Sequence, residues 1–401
     1  MSKNIYLKNN IALKFSNERA EAKNKIKIEK IISNIFNSLD SKRDAFHSLS
    51  KKFKFNFKLS QLVKFNKYKS IILIGMGGSS LGAEALYNFF RNKIKKELFF
   101  FNNLDQSQIE KTKTSLKNSL FIIISKSGNT LETLINTNLL KDKINKKNTI
   151  IITEKKTNLL NQFAKDKKIL HIIHKDYIGG RYSILSEVGM IPAYFMGLKI
   201  KNFRKNLLDF FKSKEKISLI NNVIKLTSIY RYGKINSIIL LNYAPEVNEF
   251  LYWYQQLIAE SLGKKGRGIL PVVSIAPRDH HSLLQLYLDG PKDKLFYIFS
   301  LKKNKKMKVR KNVFGKNFSY AENKDLSKAK EAQKNALIHV LKSKNIPYQE
   351  FVINKKNEAS LGKLFSYFIM ETALIGMLLG FDPFNQPAVE EVKILTKKYL
   401  S

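Results

Sequence analysis

Six short stretches of this 401-residue chain gather side chains that could hold an anion or move a proton. The first, Gly75-Met76-Gly77-Gly78-Ser79-Ser80-Leu81-Gly82, lies between an apolar β-prone run and an amphipathic stretch. Glycines in such a turn let backbone amides approach an anion closely. The dinucleotide fingerprint fails because its third glycine falls on Ser80, and a P-loop fails for want of its lysine. Gly78 to Gly82 also spells G-x-S-x-G, which would make Ser80 the nucleophile of a hydrolase. A plain tight turn needs the same glycines. The second stretch, Ser125-Lys126-Ser127-Gly128-Asn129-Thr130, again stands between a strand-like run and a helix-like one. Its hydroxyls, amide and helix-terminal N–H groups suit a phosphate, aided by the helix dipole. Simple N-capping, with Asn129 and Glu132 as a capping-box-like pair, is the structural alternative.

In the third stretch, Gly179-Gly180-Arg181-Tyr182-Ser183, two glycines allow a tight bend that presents a guanidinium. Arginine stays protonated at working pH, so Arg181 could stabilise an oxyanion without exchanging protons. The fourth is a helix from about Val247 through Glu260 that stops near Gly263. Glu260 falls in its last turn, where the negative end of the helix dipole opposes a carboxylate and suits a general base. An ordinary exposed glutamate fits as well. Asp279-His280-His281-Ser282-Leu283-Leu284-Gln285 holds two of the six histidines. Adjacent histidines on a helix point apart, which favours one acid/base histidine over a metal site. In the last stretch, Asn385-Gln386-Pro387-Ala388-Val389-Glu390-Glu391-Val392-Lys393, Lys393 could pair with Glu390 on a helix surface.

These stretches need a frame. Residues 1–69 mix lysines with helical apolar spacing and read as a helical lead-in. Strand-like runs at 70–74, 98–101, 120–124 and 149–152 then alternate with amphipathic stretches around Leu81, Ile109, Leu134 and Leu159, the pattern of βαβ units on a parallel sheet. A helical stretch over 186–231, interrupted chiefly at Pro192, separates this block from a second one. There, strand-like runs at 235–241, 272–275, 295–300 and 348–353 alternate with helices from Val247, His281, Lys328 and Glu358, before a final helix near Pro387. The expectation is an α/β chain with two doubly wound domains, each a mainly parallel sheet flanked by helices. A first domain spans residues 70–205 and a second spans 206–401, where the final helix lies.

Composition limits the partners. A hydrophobic share of 44% makes the chain globular. The net charge of +40 is spread along the whole chain, with only short clusters such as 302–308, so neither nucleic acid nor a membrane surface is implied. The absence of cysteine removes disulfides, thiolate catalysis and cysteine-ligated zinc. Residues 1–10 lack the apolar core of a secretory signal, and the longest apolar segment, near 372–381, is too short to span a bilayer, so the cytoplasm is expected.

Taken together and in this order, the six stretches resemble the phosphoglucose isomerases in their shorter bacterial form, over residues 70–400. That resemblance implies two sugar-isomerase domains. It also implies interconversion of glucose 6-phosphate and fructose 6-phosphate through a cis-enediolate, in glycolysis and gluconeogenesis, without metal or organic cofactor. On the same resemblance Ser125, Ser127 and Thr130 bind the sugar phosphate with Lys126 beside them, and Gly78 and Ser79 contact substrate. Glu260 is the base that moves a proton between C1 and C2, and Arg181 is the cation that stabilises the intermediate. Lys393 and His281 assist ring opening, His281 being chosen over His280 because Gln285 follows it four residues later. Gln386, seven residues before Lys393, contacts substrate. The family is usually a homodimer in which the histidine enters the neighbouring subunit's site. Gly128 and Asn129 depart from the bulkier or hydroxylated residues of the longer enzymes. Two related expectations stay open: additional action on mannose 6-phosphate, and a non-catalytic phosphosugar-binding module. The second need not keep Glu260, Arg181, His281 and Lys393 together.

Overall fold

A computed structural model describes residues 5–11, 18–41, 43–112, 115–213, 215–232, 234–302, 307–310 and 312–401. Ten strands run through them in chain order. The first five are β1 (Ile5–Asn10), β2 (Ser70–Ile74), β3 (Glu97–Phe101), β4 (Ser119–Ile124) and β5 (Thr149–Thr153). The others are β6 (Leu170–Ile173), β7 (Ser237–Asn242), β8 (Leu270–Ile275), β9 (Lys294–Leu301) and β10 (Tyr348–Ile353). They form two five-stranded sheets, ordered β3-β2-β4-β5-β6 and β1-β10-β9-β7-β8. Every pairing is parallel except that of β1 with β10.

Both faces of these sheets are covered, as the continuous apolar runs require. In β2, Ile71 and Leu73 face a large core shared with the second sheet, while Ile72 and Ile74 face a smaller outer core with Phe121 and Ile151. The second sheet repeats this division: Leu240 and Tyr297 join the shared core, and Ile239, Phe296 and Ile298 point to the far side. Helices fill the space between the sheets. Asn248–Leu262 packs against both Leu81–Phe90 and Glu358–Leu379, so the element carrying Glu260 is braced by both halves of the chain.

The eight strands read from the sequence are present, with ends shifted by a residue or two. Two more were not legible. Within the expected helical lead-in, helix Glu18–Ser38 forms, but residues 5–10 make β1, antiparallel to β10. Its partner lies more than three hundred residues away, which no local pattern reveals, and the pairing covers an open sheet edge. Strand β6 extends the first sheet at its other edge. Pro192 is not where the middle helical stretch breaks: it lies inside helix Glu187–Phe195. The chain turns instead at Gly197, whose φ of 77° is the left-handed conformation that ends helices.

The apolar segment expected near 372–381 is the end of a longer one. Helix Glu358–Leu379 has 22 residues and is long and apolar enough to cross a membrane, yet 89% of its most apolar window is buried inside the fold. Local reading missed its length because Lys363, Ser366 and Glu371 interrupt the apolar run. Each has a partner inside: Lys363 reaches Glu215 at 2.5 Å, Ser366 reaches the Leu207 carbonyl at 2.5 Å, and Glu371 accepts from Tyr254 at 2.8 Å.

Candidate active site

The carboxyl ends of β2 and β4 open on one side of the first sheet, and the two glycine- and hydroxyl-rich turns stand there side by side. In the first turn Gly77 has φ of 52°, and Gly78 nearly touches the Arg181 loop. A Cβ on Gly78 would lie 2.2 Å from the Gly180 carbonyl carbon, so no larger residue fits without moving the arginine. Ser80 is fully buried, with its hydroxyl turned to the Gly77 carbonyl at 3.4 Å. A hydrolytic nucleophile needs exposure, and Ser80 lacks it.

In the second turn Gly128 has φ of 70°, and a Cβ there would fall 1.8 Å from Asn158 Oδ1. Asn158 caps the next helix by accepting from Asn161 N at 2.8 Å, which accounts for the small residue at 128. Capping is not what the hydroxyls do. Thr130 occupies the N-cap of helix Leu131–Leu139 without a side-chain cap bond, and Asn129 Oδ1 accepts instead from Leu159 N at 3.1 Å. Ser125 lies behind the turn, 2% exposed, where its Oγ meets Thr130 Oγ1 at 2.8 Å and accepts from Gly128 N at 3.1 Å. Lys126 donates to the Asp176 carbonyl at 2.5 Å and stands 3.6 Å from Glu154 Oε1.

Arg181 sits in a short 3₁₀ segment, Gly180–Leu185, and is 2% exposed. Its guanidinium has five donors, and all five are engaged. Nε donates to Ser261 Oγ at 2.8 Å, and Nη2 donates to the carbonyls of Pro383 at 2.6 Å and Asn385 at 3.0 Å. Nη1 donates to Glu260 Oε2 at 3.0 Å and to Gln386 Oε1. Glu260 stands near the end of helix Asn248–Leu262, and its other oxygen accepts from Gln256 Nε2 at 2.8 Å, one turn earlier. The carboxylate is thus aimed from both sides. Tyr182 and Trp253 stiffen the arginine loop: the tyrosine hydroxyl meets Ser261 Oγ at 2.8 Å, and the indole N–H donates to the Arg181 carbonyl at 3.1 Å.

A cleft of about 360 Å³ joins these parts. Of the eleven residues assigned to the site from sequence, nine line it: Gly78, Ser79, Lys126, Ser127, Thr130, Arg181, Glu260, Gln386 and Lys393. Its charged lining is four cations, Lys126, Lys156, Arg181 and Lys393, against Glu154 and Glu260. Such a lining suits a dianionic ligand. Lys393 belongs to helix Glu390–Leu400 and pairs with Glu390 at 2.6 Å, both side chains being 62% exposed. The surface pair foreseen for it therefore exists, at the mouth of the cleft. His281 is the outlier. It lies on the short helix Arg278–Ser282, exposed and away from the cleft lining, while His280 is half-buried with Nε2 2.6 Å from the Tyr243 hydroxyl.

Over residues 3–401 the sequence matches the profile described as phosphoglucose isomerase. The chain belongs to the phosphoglucose isomerase family. It is 31% identical to the glucose-6-phosphate isomerase of Methanocaldococcus jannaschii over 95% of this chain and 96% of that protein. With the glucose-6-phosphate isomerase of Campylobacter jejuni it shares 33% identity over 85% and 88% of the two chains. Among solved structures, a hypothetical protein of Thermus thermophilus superposes with a TM-score of 0.84 at 22% identity, covering 99% of this chain and 100% of that one. A glucose-6-phosphate isomerase of Chlamydia trachomatis superposes with a TM-score of 0.71 at 18% identity, covering 85% and 71%.

For a member of this family, the residues that sequence reasoning missed are mostly supports. Gln256, Ser261, Tyr182 and Lys264 hold Glu260, Arg181 and the Asp382–Gln386 segment in place. Lys264 donates to the Asp382 carbonyl and, at 2.7 Å, to both oxygens of Asn385. Burial, and then the charge of Arg181, hold its ammonium below the usual lysine range. Gln256 was legible in hindsight, one helical turn before Glu260 on the same face. The others become neighbours only across the fold.

Proposed function

We infer that this chain interconverts glucose 6-phosphate and fructose 6-phosphate by proton transfer between C1 and C2 through a cis-enediolate. The observation that carries this reading is the pairing of Arg181 with Glu260 at 3.0 Å in a cleft that also holds Lys126, Ser127 and Thr130. A carbon acid next to a carbonyl gives up its proton only if the developing enediolate is stabilised, so base and cation have to act within one site. A phosphate anchored on the Ser127 to Thr130 turn, at a helix N-terminus, fixes the distant reacting carbons. Ser125 then acts from behind, orienting Thr130.

Glu260 takes the proton. Of the guanidinium nitrogens of Arg181, only Nη1 has both its partners, Glu260 and Gln386, lining the cleft. A substrate oxygen bonded there replaces one of them, while the other donors keep the guanidinium in place. Lys393 and His281 assist ring opening. Since His281 lies outside its own chain's cleft, a second subunit supplies it, and the working unit is a homodimer. Helix Glu390–Leu400 supports this assembly. It has no buried residue, and it exposes Val392, Ile394 and Leu400 by about two-thirds each, an unusually apolar surface to leave open. The enzyme works in the cytoplasm on a free sugar phosphate, without nucleic-acid or membrane partners and without a metal.

The test is a coupled assay of fructose 6-phosphate formation by purified wild type and Glu260→Gln, with metal chelated and with metal added. Wild type turns over under both conditions, and Glu260→Gln loses kcat by on the order of 10² to 10⁴ with KM little changed. Equal rates for the two proteins would reject the assignment of the base. Sugar phosphate binding without turnover by wild type would reject the activity.

A further inference from the structure

The two sheets share a topology beyond their parallel strands. In the first, the chain leaves β2 to place β3 on one side and then crosses to place β4 on the other; in the second, it leaves β7 to place β8 on one side and then crosses to β9 on the other. Ligands of open α/β sheets bind where the order reverses, outside the carboxyl ends of the strands. At the β2/β4 reversal lies the cleft described above. Beside the β7/β9 reversal, over the carboxyl ends of β9 and β10, lies a larger cavity, of about 530 Å³, that takes no part in the proposed reaction.

Its lining is built for something polar. Tyr243 follows β7, Ser300 and Lys302 come from the end of β9, and Asn354 follows β10, while Ser327, Lys330 and Lys334 come from helix Leu326–Ser343. Lys334 is 7% exposed, paired with Glu350 and donating to Ser300 Oγ at 3.4 Å. Lys330 donates to the Tyr243 carbonyl at 3.2 Å. Three lysines, Lys302, Lys330 and Lys334, and two carboxylates, Glu331 and Glu350, line the cavity. Asn354 Oδ1 is buried there and accepts no hydrogen bond among the described residues. Buried charges and an unmatched acceptor cost stability unless something offsets them. Apolar side chains would have closed this space more favourably.

We propose that this cavity is a second binding site, for a small phosphorylated polyol. The phosphate meets the lysine ammoniums, and ligand hydroxyls donate to Asn354 Oδ1 and exchange hydrogen bonds with Ser300 and Ser327. The site is built from the second sheet and helix Leu326–Ser343 and shares no lining residue with the first cleft.

Equilibrium dialysis with labelled glycerol 3-phosphate, which carries a phosphate and two hydroxyls, tests it on the intact protein. Ser327→Glu sets a carboxylate in the first turn of its helix, where negative charge is tolerated, and turns it against an incoming phosphate. Lys126→Met weakens the first cleft. Wild type is expected to bind two equivalents per chain, each single variant one, and the double variant none, with isomerase activity retained in Ser327→Glu. A single equivalent in wild type that Lys126→Met removes would overturn the second site, as would two equivalents unchanged by Ser327→Glu.

Discussion

At the scale of single residues, Arg181 shows how a charge is made both fixed and usable. Its guanidinium is almost wholly enclosed and bonded through every donor, three of them to groups outside the cleft lining: Ser261 Oγ and the carbonyls of Pro383 and Asn385. Buried cations of this kind persist because each donor is matched. Lysine has three donors on a flexible stem and cannot reproduce the planar fork. Arg181→Lys is therefore expected to lower kcat by on the order of 10² to 10³, the range for losing an oriented oxyanion donor. It should also lower the melting temperature, because the Pro383 and Asn385 carbonyls each lose one of their two donors. Steady-state kinetics and thermal melts of the same preparation check both parts. A variant with normal kcat and a reduced melting temperature would leave Arg181 a structural role alone.

At the scale of elements, helix Glu358–Leu379 runs through the shared core with a carboxyl group in its middle. Glu371 is fully buried, accepts from the Tyr254 hydroxyl at 2.8 Å, and has one oxygen without a partner among the described residues. Burial, against the smaller opposing effect of the tyrosine hydroxyls, pushes its carboxyl up to about 7 from an ordinary 4.5. The folded protein therefore binds this proton more tightly than the unfolded chain does. Its contribution to stability is fully present below pH 4.5 and is lost as the pH rises through about 7. The melting temperature of wild type relative to Glu371→Gln should fall across that interval and level off above it. A difference that stays flat with pH would show that the carboxyl does not titrate there. Tyr177 is also pushed up to about 12 by burial and by the charges of Glu187 and Asp176. It is neutral throughout the interval and leaves that comparison undisturbed.

At the scale of the whole molecule, the proposed site is incomplete in one chain, because His281 is exposed and does not line the cleft that holds Glu260. A two-fold dimer places residue i of one subunit against residue j of the other and the reverse, so each site would take Glu260 from one chain and His281 from its partner. Glu260→Gln and His281→Ala are each expected to be nearly inactive. Mixed in equal amounts and allowed to exchange subunits, they should regain about a quarter of wild-type activity, since half the dimers are hybrids with one intact site each. An unchanged sum of the two residual activities would place both residues in the same chain's site. The two sheets joined by one central core also explain why the cleft walls stay in register. The helix carrying Glu260 is packed against elements of both halves, so base and arginine loop share one rigid support.

Much of this protein follows from local pattern. Runs such as Ile71 to Ile74 and Leu120 to Ile124 are buried on both faces and read as parallel strands because nothing else accommodates so continuous an apolar run. The turns that follow them read as anion sites because glycine and hydroxyl residues at a strand-to-helix junction have few other uses. Distance in the chain conceals the rest. Strand β1 pairs with β10 across almost the full sequence, the arginine is held by residues about 80 and 200 positions further on, and Ser125 turns inward while Ser127 faces the cleft. Side-chain types and short spacings determine which groups are available for chemistry. Which of them meet, and which become the supports behind the others, depends on long-range contacts whose energies are spread over the whole core, and folding alone decides that.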